Sequence, residues 1–533
     1  MRRAVLAALA ALAVPAATLS SAPAQEPAPV AEHCAALADL AINDANLLSA
    51  SVVPAAEGLP EFCRVLGYVR PAINFEVRLP TADWNGKVYM VGCGGFCGQL
   101  ESDRAGFINA MNSGLRRGYA SVAMDSGHWG ASSADGRWAH HNRLAEIDWG
   151  RRAVPATARV ALVLTEAFYG RAPAQRYFQG CSTGGRMALM AAQQTPELFD
   201  GIIAGAPALD YTGLVATFFA ALVQANTGPD GTDIVTPNVV PLVRDAVYAA
   251  CDGADGLEDG LIADPRRCTF DPAGLQCAAD EGEDCLTAAQ VETLRTWYDG
   301  ARDSVGERLY PGGIPYGSEP FWWLWLAGDG QGNGRLIPAF NADFLRYMAF
   351  QDDPGAGYGP LDFDLDTDPA RLAFMSAIYN ADDPDLTAFS DAGGRLLMWH
   401  GWADAIVTPW RTLDYFAAVQ DAAGGAGAAA EFVRLFMVPG MDHCGLLARP
   451  RHRPGRVRPA GGAGGLGGAR RAAGSAAVGA HQCRRHGRLE PAAVPVSAGG
   501  SLHRRRRSDR RGQLRVCGPV ARLLRGPAGP HPA

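Results

Sequence analysis

Gly180-Cys181-Ser182-Thr183-Gly184 sets a serine hydroxyl among small residues, bracketed by two glycines. A hydroxyl is a weak nucleophile until a base removes its proton, and small neighbours let it stand at the tip of a tight, strained turn. Such a turn needs a strand before it and a helix after it. Residues 176–179 and 185–194 carry those patterns, so Ser182 is read as a nucleophile rather than as part of a plain glycine-rich turn. The base must be held in one tautomer by an acid, and in this strand-turn-helix arrangement the chain order is serine, acid, histidine. His400-Gly401-Trp402-Ala403-Asp404 follows the apolar run 395–400, and Pro439-Gly440-Met441-Asp442-His443-Cys444 follows 431–438. Asp404 is therefore the acid and His443 the base. Two competitors stand beside them. His400 precedes the acid and is expected to pack under the loop, and Asp442 adjoins His443 in sequence, where a side chain seldom faces the same ring nitrogen.

The scaffold follows from alternation. Residues 87–92, 119–124, 176–179, 201–204, 395–400 and 431–438 read as buried strands, and 151–169 and 185–194 read as helices between them. That is an α/β fold with a mostly parallel sheet. Over 209–382 the alternation is lost and Gly, Pro, Asp and Trp become dense, which predicts an inserted lid over the strand ends where open α/β sheets bind ligands. The expected class is an α/β-hydrolase fold with a large inserted lid domain: 25–208 and 383–446 form the hydrolase part and 209–382 the lid.

Cysteine usage points outside the cytoplasm. Arg2 and Arg3 precede an apolar run, and Ala22-Pro23-Ala24 reads as a cleavage site, so 1–24 is expected to be a signal peptide. No later stretch approaches the roughly 20 apolar residues of a membrane span. Secretion or export to a periplasm permits disulfides, and ten of the twelve cysteines, Cys34, Cys63, Cys93, Cys97, Cys181, Cys251, Cys268, Cys277, Cys285 and Cys444, lie before residue 447. A cysteine zinc site is disfavoured because CxxC pairs are absent. Cys181 precedes the serine and Cys444 follows the histidine. Assembly of Ser182 with His443 would bring these thiols together, and a bond between them would staple nucleophile to base.

The net charge of −7 divides into −24 over residues 1–446 and +17 over 447–533. A basic tail commonly binds nucleic acid, but this one has no Lys and no aromatic residue for base stacking. Its Arg/Gly/Ala/Pro composition is what a high-GC gene read out of frame after about Leu446 would encode. The tail 447–533 is expected to be out of frame or disordered, with neither a nucleic-acid nor a membrane partner.

Gly180-Cys181-Ser182-Thr183-Gly184-Gly185-Arg186, the later Pro196-Glu197-Leu198-Phe199-Asp200-Gly201, and the segments His400 to Asp404 and Gly440 to Gly445 together resemble the tannase and feruloyl esterase family. The resemblance runs from about Cys34 to Gly445. It implies ester hydrolysis through Ser182, Asp404 and His443, the Cys181 to Cys444 bridge, and small aromatic esters as substrates. The family continues past its His-Cys segment with a helix and a final disulfide-bearing stretch that this sequence lacks. Acyl transfer needs N–H donors at the oxyanion. Thr183, next after the nucleophile, is one; Gly92-Cys93-Gly94-Gly95-Phe96 resembles the loop that supplies the other, from Gly95 or, as the close alternative, Gly94. The match to the family's calcium loop implies a structural Ca²⁺ bound by the side chains of Asp252, Asp255 and Asp259 and the carbonyls of Leu257 and Leu261, with Cys251 to Cys268 and Cys277 to Cys285 closing the loops around it. Phe321-Trp322-Trp323-Leu324-Trp325 reads either as core or as a flat wall for an aromatic acyl group. The rival readings are a catalytically silent binding protein and an acyltransferase on the same triad. Neither the particular aromatic ester nor the oligomeric state follows from the sequence.

Overall fold

Antiparallel pairing opens the sheet, and it was not anticipated. The computed structural model describes residues 29–100, 111–278 and 284–447. The expected signal peptide, and the tail apart from Leu447, lie outside the described residues. Strands β1 (Ala45–Val53), β2 (Phe62–Val69) and β3 (Ile73–Pro80) form a meander. Charged residues on these strands hide the apolar alternation: Glu76 and Arg78 are buried in β3 and pair with each other at 2.7 Å, and Arg64 of β2 adds a second contact to Glu76 at 2.9 Å. Ion pairing is what makes such burial tolerable.

The remaining strands are β4 (Lys87–Val91), β5 (Ala120–Met124), β6 (Gln175–Cys181), β7 (Gly201–Gly205), β8 (Arg395–Gly401) and β9 (Val433–Val438). They match the six expected runs to within two residues at most ends. Val, Ile, Leu and Met recur in five of them because both faces of this part of the sheet are covered, whereas β6 carries Tyr177 and Phe178 instead. The order is β1-β2-β3-β5-β4-β6-β7-β8-β9, antiparallel as far as β5 and parallel from β5 to β9. The helix Ala153–Tyr169 buries one face, including Val160, Ala161 and Leu164, and ends at Gly170 in the left-handed conformation that favours glycine.

Residues 206–394 separate β7 from β8, and among the described residues they add no strand to this sheet. They are more helical than their composition predicts. Leu336–Tyr347, for example, buries Ile337, Phe340, Asn341, Phe344 and Leu345, a single helical stripe. Ala288–Asp299 begins with a capping box between Thr287 and Gln290. Gly- and Pro-rich connections between short helices concealed this periodicity.

One buried cation ties the helix after the serine to its neighbours. Arg186 is fully buried on the helix Thr183–Gln194 and donates to the carbonyls of Trp149 (3.0 Å), Gly150 (2.8 Å) and Tyr379 (3.0 Å). Its guanidinium lies 4.1 Å over the Trp149 ring, and burial lowers its pKa to about 10, so it stays charged at neutral pH. Arg186→Met should leave three buried carbonyls without donors and destabilise the fold by about 2–4 kcal/mol. Urea unfolding measures this; an unchanged midpoint would show that the carbonyls find other partners.

Candidate active site

Strand β6 delivers Ser182 into a turn that only small neighbours permit. Ser182 has φ 65° and ψ −126°, a strained conformation for a residue with a Cβ. A side chain at Gly180 would come within 2.2 Å of the Gly184 carbonyl, which is why the position before Cys181 is glycine. The turn is pinned by Ser182 N–H to the Gly205 carbonyl (3.0 Å), and the Ser182 carbonyl accepts from Arg186 N–H and Ala208 N–H.

Asp404 follows β8 and His443 follows β9, so both stand at the same strand ends as the serine. Asp404 is completely buried, and four donors converge on it. Oδ1 accepts from Ile406 N–H (3.2 Å) and Val407 N–H (2.9 Å), and Oδ2 meets His443 Nδ1 at 2.7 Å and His400 Nε2 at 3.3 Å. Burial pushes this carboxyl's pKa upward, but the attraction of His443 and the hydrogen bonds from His400 and His443 outweigh it and hold it below the ordinary value. His400 Nε2 also contacts the Val407 carbonyl at 2.7 Å, and its Nδ1 contacts the Thr412 hydroxyl at 2.9 Å. A carbonyl can only accept, so Nε2 carries the proton and Nδ1 accepts from Thr412. Both ring nitrogens are thereby engaged, and His400 is not among the residues lining the cavity at Ser182. It does more than pack under the loop, since it shares the carboxylate with His443.

Ser182 and His443 face one cavity of about 430 Å³. Among the described residues no hydrogen bond joins Ser182 Oγ to His443 Nε2, and such contacts commonly tighten only with substrate. The Cys181–Cys444 disulfide joins the residue before the serine to the residue after the histidine, across 263 positions of sequence. Cys444 Sγ lies 3.7 Å from His443 Nε2, and the Trp325 ring meets the imidazole edge-on at a centroid separation of 5.6 Å.

The glycine loop after β4 is closed on itself by Cys93–Cys97. Gly95 has φ 56°, and a Cβ there would lie 2.3 Å from the Ser133 carbonyl. The Gly95 carbonyl accepts from Thr183 Oγ1 at 2.7 Å, so the loop is docked on the N-terminus of the helix that follows the serine. Thr183, Gly94 and Gly95 all line the cavity. Tyr211, buried at the start of the insertion, lies within 3.4 Å of Thr183 Oγ1 and 3.5 Å of the Gly95 carbonyl. Sequence reading missed it, because nothing local marks a tyrosine that becomes a neighbour only through folding.

The tryptophan-rich run divides. Phe321 and Trp322 are core, whereas Trp323, Leu324 and Trp325 line the cavity. Leu446 and Leu447 line it as well, so the first residue assigned to the tail is part of the packed structure.

The other disulfides are Cys34–Cys63, Cys251–Cys268 and Cys277–Cys285. In the acidic loop the donors suit a hard cation in kind. Their present partners are the loop's own backbone: Asp252 accepts from Gly260 N–H and Leu261 N–H, and Asp255 from Leu257 N–H. Asp252, Asp255 and Asp259 do not bring one carboxylate oxygen each within 4.8 Å of the others. The carbonyls of Leu257 and Leu261 sit on the same turn. A metal would have to displace the Asp252 contacts, and no step of the chemistry depends on it.

Asp442 does not partner His443. Its Oδ2 accepts Leu447 N–H at 3.1 Å while Oδ1 is buried without a hydrogen bond among the described residues, and burial, reinforced by repulsion from Asp404, raises its pKa to about 8. The folded state thus holds a proton that the unfolded chain releases near pH 4. Its stabilisation is complete below that pH and is lost as pH rises through about 8. Asp442→Asn keeps the acceptor for Leu447 and cannot ionise, so the melting temperature of the variant should fall less steeply between pH 5 and 8. One such group accounts for at most about 1.4 kcal/mol per pH unit. Parallel curves for the two proteins would refute the assignment.

The tannase and feruloyl esterase family matches residues 58–452. The chain is 34% identical to an uncharacterized esterase of Xanthomonas campestris, over 77% of this chain and 76% of that one. It is 31% identical to a mono(2-hydroxyethyl) terephthalate hydrolase of Piscinibacter sakaiensis, over 74% and 75% respectively. In three dimensions it is similar to feruloyl esterase B of Aspergillus oryzae, with a TM-score of 0.68 and 27% identity over 78% of this chain and 84% of that chain. With a serine elbow, a buried acid and a histidine at the ends of parallel strands of one sheet, the chain belongs to the tannase and feruloyl esterase family, an α/β-hydrolase that cleaves carboxylic esters.

Proposed function

We propose that this esterase is exported and hydrolyses small, uncharged aromatic esters through an acyl-enzyme on Ser182. The observation that carries this reading is the character of the cavity at Ser182. Trp323, Trp325, Phe219, Phe340 and Tyr211 supply aromatic surface, and among the described residues no Lys, Arg, Asp or Glu lines it. An aromatic acyl group gains burial and ring contacts there, whereas a free carboxylate would be desolvated without a cation. Neutral feruloyl- or galloyl-type esters therefore suit the cavity better than a terephthalate monoester, which carries a negative charge. The five disulfides support an oxidising compartment.

In the reaction, His443 Nε2 takes the hydroxyl proton as Ser182 Oγ attacks the ester carbonyl. Asp404 holds the other ring nitrogen and stabilises the imidazolium. The N–H groups of Thr183 and Gly95 receive the negative oxygen. Collapse of the tetrahedral adduct breaks the bond to the alcohol, which leaves with the proton from His443. Water, deprotonated by the same histidine, then releases the acid and regenerates Ser182.

Ser182→Ala should lower cleavage of methyl ferulate by at least about 10³-fold without loss of folding. The intact enzyme should prefer that ester over a terephthalate monoester in kcat/KM. Undiminished turnover in the variant would overturn the nucleophile assignment, and preference for the charged ester would overturn the substrate class.

We further propose that the acidic loop holds a structural calcium ion, on the chemistry of its donors. Because an ion bound only by the native state adds to stability, a calcium-selective chelator should lower the melting temperature while leaving kcat nearly unchanged. Equal melting with and without the chelator would remove the ion from this account.

A further inference from the structure

Away from the cavity at Ser182, folding assembles two imidazoles and a carboxylate that no sequence spacing connects. His140 and His141 follow the short helical turn Arg137–Ala139, and Asp353 stands in the loop after the helix Leu336–Tyr347, 212 residues beyond His141. Nδ1 of His140 and Nδ1 of His141 lie 3.7 and 3.9 Å from Asp353 Oδ2, and one ligand atom from each of the three residues falls within 4.8 Å of the others. Among the described residues this is the one such group of three.

Two further observations distinguish the cluster from a chance surface encounter. The Asp353 side chain is only 5% exposed, and its second oxygen, Oδ1, is buried with no hydrogen-bond partner among the described residues. Burying a carboxylate oxygen without a partner is costly, and this one belongs to the carboxylate whose other oxygen meets the two imidazoles, so the group as a whole favours a cation. The segment carrying the histidines is also held in place. His141 adopts φ 52°, and its backbone N–H donates to Asp353 Oδ2 at 2.7 Å. The nearby Arg143 acts on Asp353 only through space, because its guanidinium is engaged with Glu146 at 3.0 Å and with the Gln351 carbonyl at 2.6 Å.

Two nitrogens and one oxygen are a donor set for Zn²⁺, whereas Ca²⁺ and Mg²⁺ prefer oxygen alone. Tetrahedral zinc with bonds of about 2.0–2.2 Å separates its ligand atoms by about 3.3 Å. The two nitrogen–oxygen pairs, at 3.7 and 3.9 Å, therefore need to close only slightly, and the imidazole nitrogens lie within 4.8 Å of each other before any ion draws them in. We propose that His140, His141 and Asp353 bind a zinc ion that clamps the insertion onto the hydrolase core, with water in the remaining position. The half-exposed His140 ring and the largely exposed His141 ring leave the solvent side open for that water. The clamp would act on the walls of the cavity. Ser133, upstream of the histidines, and Phe340, on the helix before Asp353, both line it, and Gly136 N–H already donates to Asp343 Oδ2 at 3.0 Å between the same two segments. Zinc would add a metal-bonded tie to these hydrogen bonds.

The test uses the full chain with zinc chloride, reading metal retained after dialysis and the shift in melting temperature. The unmodified protein should retain one more equivalent of zinc than His140→Gln or Asp353→Asn, and zinc should raise its melting temperature in a way that calcium and magnesium do not reproduce. The difference between proteins removes zinc held by other histidines. His140 is half-exposed, so His140→Gln should fold even if the buried Asp353→Asn does not, and loss of the extra equivalent in that variant alone sustains the site. Hydrolysis of p-nitrophenyl acetate without added metal should be the same in all folded forms, since none of the three residues lines the cavity. Equal zinc content and equal thermal shift in His140→Gln and the unmodified protein, or no retained zinc in either, would overturn the proposal.

Discussion

A charged carboxylate with no solvent contact would by itself destabilise a fold by several kcal/mol, and Asp404 is such a group. It is tolerated because the chain around it is arranged to supply donors on every side. The turn after β8 aims Ile406 N–H and Val407 N–H at one oxygen, and His400 and His443 meet at the other. Each partner is then constrained in return. The Val407 carbonyl and Thr412 hydroxyl fix the tautomer of His400, and the short contact from Asp404 orients the ring of His443 toward the cavity. The satisfied carboxylate thus organises the strand ends as much as it serves the histidine.

The histidine itself rides on a loop with few other anchors. Disulfide bonding to Cys181 fixes its position relative to the serine directly, so the two residues are bound through one covalent link rather than through a long path of packing. In the loop-entropy model, closing so large a loop stabilises by about 5 kcal/mol at most. The Leu447 N–H contact to Asp442 and the packing of Leu446 and Leu447 complete the anchoring within the described residues. The boundary placed at Leu446 by composition therefore falls slightly early, which agrees with a family match reaching residue 452.

In the proposed mechanism, ester chemistry and ester choice come from different parts of the chain. Strands β6, β8 and β9 carry the reacting groups, whereas residues from the insertion, Tyr211, Phe219, Trp323, Trp325 and Phe340 among them, form the aromatic wall. This separation lets a constant reaction centre be fitted to different acyl groups by changing one inserted segment. Arg186 links the two parts, since it reaches from the helix after the serine to the Tyr379 carbonyl near the end of the insertion.

Much of the site was legible in sequence because the chemistry is encoded locally. A glycine-flanked serine after an apolar run, an acid and a histidine each just past another run, and a cysteine beside two of them are patterns that a linear reading can find, and the parallel sheet then brings strand ends together. Contacts between distant segments leave no local mark. Only the tertiary structure decided that His400 shares the carboxylate of Asp404, that Tyr211 reaches the glycine loop, and that Trp322 is core while Trp323 and Trp325 face the cavity. It also decided that β1 to β3 bury an ion pair, which breaks the apolar pattern by which strands are recognised. In the acidic loop, too, the contacts of Asp252 with the Gly260 and Leu261 N–H groups are not visible in the linear spacing of the carboxylates. Periodicity and neighbouring chemistry are properties of the chain, whereas burial, shared partners and convergence of ligands depend on how its surfaces meet.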